Sequence, residues 1–185
     1  GLGILYISLS WGMMIGFSEF LGEFYFIGGT VFSGGFFSWL YVVIPAVLIA
    51  SIWINDTMAY IVGSLIGKTP LSPVSPKKTW EGTIGGVILA TVVTGFLASR
   101  LTAANFHQPG VVLEISSFHW FFIAAIAAIT GTIGDLLESK LKRMAGVKDS
   151  GSLMPGHGGF LDRFDSMLLA TPAVFCYVRI FMVFI

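Results

Sequence analysis

Apolar residues in this chain run in long unbroken blocks, with the polar residues gathered between them. Blocks of this kind read as buried or membrane-crossing helices, because a half-buried strand or a transmembrane barrel would alternate every second position. They lie at roughly 2–17, 36–54, 83–98, 118–137 and 166–185. The second continues into a polar-marked helix at 55–67, and so many residues in one helix would measure about 48 Å, against a hydrocarbon core of about 30 Å. Such a helix tilts, projects or breaks. Pro45 offers a kink, since its ring removes a backbone hydrogen bond, so one crossing and two are both open.

A Gly-rich connection at 18–35 carries Glu19 and Glu23, and a polar linker with Asn105, His107 and Pro109 precedes the block at 118. "GKTPLSPVSPKKTWEG" at 67–82 reads as a loop, because Pro70, Pro73 and Pro76 exclude continuous helix. The predicted fold class is all-α: a polytopic transmembrane helix bundle of about five or six spans, forming a single membrane domain over residues 1–185.

Composition strengthens the membrane reading. Only 11% of the 185 residues are charged and 55% are hydrophobic, against about a quarter charged in soluble domains; the mean hydropathy is +0.87. Ten Lys plus Arg balance ten Asp plus Glu, which leaves no concentrated basic surface for nucleic acid. The lone Cys176 has no internal disulfide partner and reads as a small packing residue. Trp11, Trp39, Trp53, Trp80 and Trp120 mostly fall near block ends, as interfacial anchors do. The chain begins without Met and turns apolar at once, and the expectation is the C-terminal part of a longer protein.

Lys and Arg concentrate in two places: Lys68, Lys77 and Lys78 in the Pro-rich segment, and Lys140, Lys142, Arg143, Lys148 and Arg163 before the last block. Two spans separate these segments, so they share a membrane face, and enrichment in Lys and Arg marks that face as cytoplasmic.

Against this background Asp135 stands about 26 Å along its helix from Phe118, near the inner interface, and Asp56 reaches a similar depth if its segment crosses once. Carboxylates are costly in a bilayer and usually face a cavity with a partner. Asp135 can be read as a helix end paired with Lys140 or Arg143. It can also be read in company: Asp135, Ser139 and Lys142 share one helix face, and the next segment adds Lys148, Asp149, His157, Asp162, Arg163 and Asp165. Carboxylate oxygens with cations suit Mg²⁺ and phosphate. "PGHGGF" at 155–160 is either a flexible turn or an anion-binding concavity. With no Cys pair or second His nearby, His157 reads as a phosphate contact or a hydrogen-bond post rather than a zinc ligand.

"GSLIGKT" at 63–69 resembles a phosphate loop but is one residue too short and follows no strand. Gly63 and Gly67, spaced as GxxxG, instead permit close helix contact, including a homodimer. Asp56, Tyr60, Ser64 and Gly67 share a face suited to lining a cavity. Lys68, Lys77 and Lys78 are either phosphate contacts or positive-inside anchors.

"SKLKRMAGVKDSGSLMPGHGGFLDRFD" at 139–165 resembles the signature of the phosphatidate cytidylyltransferases, also called CDP-diacylglycerol synthases, at Ser139, Leu141, Lys142, Arg143, Lys148, Asp149, Pro155, His157, Gly158, Gly159, Asp162, Arg163 and Asp165. Met154 departs from the usual Leu, Ile or Phe. "NDTMAYIVGSLIGKT", "SPKKTWEG" and "GDLLESKLKR" are similar to further family segments, so the likeness covers well over half the chain.

The resemblance implies an integral enzyme of a bacterial inner (plasma) membrane, with its site facing the cytoplasm, that joins CTP and phosphatidic acid from the lipid bilayer into CDP-diacylglycerol and pyrophosphate. It implies Mg²⁺ or another divalent cation on Asp135 and Asp162, with Asp56, Asp149 and Asp165 as further ligands or supports. Lys148 and Arg163 take catalytic phosphate roles, and Lys77, Lys78, Ser139, Lys142, Arg143, His157, Gly158 and Gly159 bind substrate. A CTP-dependent polyprenol kinase would share nucleotide and membrane but phosphorylate a hydroxyl. A transporter would place its charged site nearer the midplane.

Overall fold

The computed structural model describes residues 8–16, 35–105, 116–147, 150, 162 and 164–182. Helix α1 covers 8–16, α2 Gly35–Ile66, α3 Trp80–Asn105, α4 Ser117–Met144 and α5 Asp165–Tyr177, which runs into a π-helical end at Val178–Met182. Three helices are long and apolar enough to cross a membrane, at Val42–Ile66, Trp80–Ala103 and Ser117–Met144. With the family relationship given below, they make this an integral membrane protein. The all-α expectation holds, but three such spans among the described residues are fewer than the five or six predicted.

Helix α2 settles the question of crossing once or twice: it is one helix of 32 residues that runs through Pro45. Ile44, Leu48 and Ile52 on its inner face meet Trp120, Ile123 and Ala127 of α4, Ala98 of α3, and Ala170, Val174 and Val178 of α5 and its extension. Trp120 is fully buried in this core, which corrects its reading as an interfacial anchor; its distance from the helix start is one turn, and that turn packs inside the bundle. Trp53 and Trp80 are exposed, and so is Cys176, which therefore does not pack inside.

The Pro-rich segment is not an irregular loop. Strands β1 (Pro70–Ser72) and β2 (Ser75–Thr79) form an antiparallel hairpin, with Pro70 opposite Thr79 and Ser72 opposite Ser75. In a two-stranded ribbon each strand is an edge, so prolines that donate no hydrogen bond can point outward. Thr79 caps α3 by accepting from the Gly82 N–H at 3.2 Å. The Glu81 carboxylate accepts from the Lys68 and Thr69 backbone amides at 3.2 Å and from the Thr69 hydroxyl at 2.9 Å. These bonds fasten the hairpin between the end of α2 and the start of α3.

Helices α2 and α3 cross on small residues. A Cβ on Gly86 would stand 2.7 Å from the Asn55 carbonyl oxygen, and one on Gly63 would stand 2.9 Å from Thr79 Oγ1. The close contact read from the glycine spacing therefore occurs inside the chain. Gly134 does the same for α5, since a Cβ there would meet the Asp165 carbonyl oxygen at 2.8 Å. The hairpin, the last third of α4 and the start of α5 are thus gathered at one end of the bundle.

Candidate active site

At that end a cleft of about 380 Å³ lies between α2, the hairpin and α4. Helical spacing brings Asp56, Tyr60, Gly63 and Ser64 of α2 to one wall, β2 supplies Lys77 and Lys78, and α4 supplies Thr132 and Asp135. The α2 face read from the sequence does line a cavity, apart from Gly67. Lys78 forms an ion pair with Asp135, and both are about a quarter exposed on the side chain. This pair displaces the reading in which Asp135 is held by Lys140 or Arg143; both of those are exposed. It also ties the first basic segment to the α4 turns that lead into the second, as expected if the two share one face. Asp56 lies within electrostatic reach of Lys78, Asp135 and Asp165.

A second cluster adjoins the first along α4. Lys142 Nζ donates to Asp162 Oδ1 at 2.6 Å, and the other Asp162 oxygen accepts from the backbone and hydroxyl of Ser150, both at 2.9 Å. Glu138 is buried beside Asp165, Asp162 and Lys142, with Lys142 Nζ 3.4 Å from its Oε1. Among the described residues no donor meets either Glu138 oxygen at full hydrogen-bond geometry, so Lys142 serves it as an ion-pair partner. Asp165 accepts from its neighbour's Ser166 N–H at 2.5 Å and hydroxyl at 3.2 Å. Ser139 Oγ stands 3.5 Å from Asp135 Oδ1, at the limit of a hydrogen bond. Asp162 does not line the cleft; Asp135 does, and Glu138 and Asp165 stand between them. Lys148, Asp149, His157, Gly158, Gly159 and Arg163 lie outside the described residues, and Arg143 is exposed.

Glu138 was missed in the sequence reading, although the signal was present: it follows Asp135 by three and precedes Lys142 by four, which is the same helix face. Asn55 and Thr132 were also given no role. Both line the cleft.

No group of three or more Asp, Glu, His or Cys side chains among the described residues is arranged to hold a metal by itself. The donors nevertheless fit Mg²⁺, which binds through one or two carboxylates and takes its other oxygens from water and phosphates. Asp135, Glu138, Asp162 and Asp165 lie near one another, with Lys78 paired to Asp135 and Lys142 to Glu138 and Asp162. Like charges so close favour a bound cation.

The cytidylyltransferase family matches residues 10–181. The chain belongs to this family. Among its relatives, the phosphatidate cytidylyltransferase of Helicobacter pylori is 42% identical over 130 residues, covering 70% of this chain and 42% of that protein. The phosphatidate cytidylyltransferase of Bacillus subtilis is 41% identical over 131 residues, or 70% of this chain and 45% of the other. That of Thermotoga maritima is 43% identical over 135 residues, or 72% and 48%. The matched part of the chain thus spans under half the length of these curated relatives. The family match includes both the cleft and the adjoining carboxylate cluster.

Proposed function

We propose that this cytidylyltransferase-family chain carries the reaction centre of a phosphatidate cytidylyltransferase, in which a phosphatidate oxygen attacks the α-phosphorus of CTP. The new P–O bond forms as the bond to the β-phosphate breaks, giving CDP-diacylglycerol and pyrophosphate. The observation that carries this reading is the cleft itself, where Lys77 and Lys78 stand opposite Asp56 and Asp135 at one end of an apolar bundle. No covalent nucleophile is required; alignment and charge neutralisation suffice for phosphoryl chemistry of this type.

Lys77 and Lys78 neutralise substrate phosphates, and Lys142 orients Asp162. Asp135 and Asp162, with Asp165 and Glu138 beside them, would hold Mg²⁺, which when bound screens phosphate charge. The Lys and Arg of the basic segments support a cytoplasmic side for the site, where water-borne CTP and a bilayer lipid can both arrive.

The test uses the full-length protein in detergent with Mg²⁺, phosphatidate and CTP labelled at the α-phosphate. Label should pass into lipid with one pyrophosphate released per lipid formed; release of CDP instead would identify a lipid kinase and overturn the assignment. Within this reaction Lys78→Gln should raise the KM for CTP about tenfold or more, because one charge-assisted phosphate contact is worth about 1.5–3 kcal/mol. Arg100→Gln, on the far part of α3 with its guanidinium over Phe96, should leave that KM unchanged in steady-state assays.

A further inference from the structure

Among the residues lining the cleft is a buried hydrogen-bond acceptor that no described residue donates to. Asn55 is only 2% exposed, and among the described residues its buried Oδ1 has no hydrogen-bond partner. The orientation of the amide follows from its neighbour. Thr132 Oγ1 commits its one proton to the Ala128 carbonyl oxygen at 3.0 Å, so toward Asn55 it can only accept, and Asn55 Nδ2 donates to it at 3.0 Å. The carbonyl end of the Asn55 amide is therefore turned away from Thr132. Both residues line the cleft, Asn55 next to Asp56 on α2 and Thr132 within one helical turn of Asp135 on α4. A buried carbonyl left unpaired is unfavourable, and in a cleft the missing donor can come from a ligand.

We infer that Asn55 Oδ1 accepts a hydrogen bond from an N–H or O–H group of the bound nucleotide, which makes Asn55 a specificity-determining residue for CTP. This rests on the reaction proposed above, and the chemistry of its two substrates makes the choice between them. The ester and ionised phosphate oxygens of phosphatidate only accept. CTP brings donors: two ribose hydroxyls and the exocyclic amino group of cytosine. An acceptor fixed by Thr132 selects a ligand with a donor at that point and disfavours an analogue lacking it, since the carbonyl would stay unpaired.

The experiment compares wild-type full-length enzyme with Asn55→Leu, which keeps the branched heavy-atom skeleton and removes the acceptor. KM and kcat are measured for CTP, 2′-deoxy-CTP, 3′-deoxy-CTP and the triphosphate of the riboside lacking the 4-amino group. The wild type should discriminate against one of these analogues by about tenfold, the value of one hydrogen bond. Asn55→Leu should raise the KM for CTP by about the same factor and lose that discrimination, with kcat and the KM for phosphatidate little changed.

Unchanged CTP kinetics in Asn55→Leu would overturn the inference, and so would a rise confined to the KM for phosphatidate, which would give the acceptor to the lipid. If the leucine variant does not fold, Thr132→Val serves. It keeps the Asn55 carbonyl but frees the amide to turn, so discrimination should fall, and full retention would count against the inference. Failure of the wild type to consume CTP at all would instead sink the reaction assignment.

Discussion

Asp135→Asn should reduce turnover by about a hundredfold to a thousandfold while the protein stays folded. Preorganised charge at a phosphoryl-transfer centre is worth roughly that much, and Asp135 contributes it twice, by lining the cleft and by holding Lys78 in place. The substitution keeps the shape of the side chain but removes its charge, so Lys78 loses its ion-pair partner and the bond to Ser139 weakens. Both side chains of the pair are partly exposed, which limits the cost to the fold. Initial rates in mixed micelles measure the first effect, and the thermal transition of the purified protein measures the second. Wild-type turnover in this variant would remove Asp135 from the reaction centre. Loss of the folded transition would make its role structural.

A large effect of a different kind is expected at Gly86. Replacing a mid-helix glycine with alanine normally stabilises by about 1 kcal/mol through helix propensity. At Gly86 the new Cβ would stand 2.7 Å from the Asn55 carbonyl oxygen and 2.9 Å from both the nitrogen and the Cβ of Ala59. Most of these neighbours are backbone and cannot swing aside, so the overpacking cost of about 1–3 kcal/mol outweighs the propensity gain. Gly86→Ala should therefore lower the thermal midpoint by several degrees, and Gly86→Leu should prevent α2 and α3 from closing. Gly12→Ala is the contrasting case: it is helical and has nothing within 4 Å, so the same change should be neutral or stabilising. A Gly86→Ala protein as stable as its parent would show that the two helices can separate at little cost.

What could be read from the sequence was whatever depends on local periodicity. The face of Asp56, Tyr60 and Ser64 was legible because residues three and four apart must share a side of a helix, and that side does line the cleft. Counting spans was enough to put the two basic segments at one end. The identity of Asp135's partner was not legible, because Lys78 lies 57 positions away and only the packing of three elements brings the two together.

The hairpin was hidden by its prolines, which argue against a central strand but are compatible with a ribbon made only of edges. Pro45 offered a break that α2 does not take. Trp120 was misplaced because nearness to a block end does not say whether a ring points to lipid or into the core. Glu138 sat on the face already under scrutiny, yet its burial between Asp162 and Asp165 becomes visible only when α5 is laid against α4.

The fastening of the hairpin by Glu81 and Thr79 bears on how quickly the cleft can act. Lys77 and Lys78 ride on a hairpin whose two ends are tied to long helices, so the cations wait in register before any anion arrives. Little ordering entropy is then lost at the encounter. Capture depends on how readily the incoming molecule can turn to meet a stationary frame.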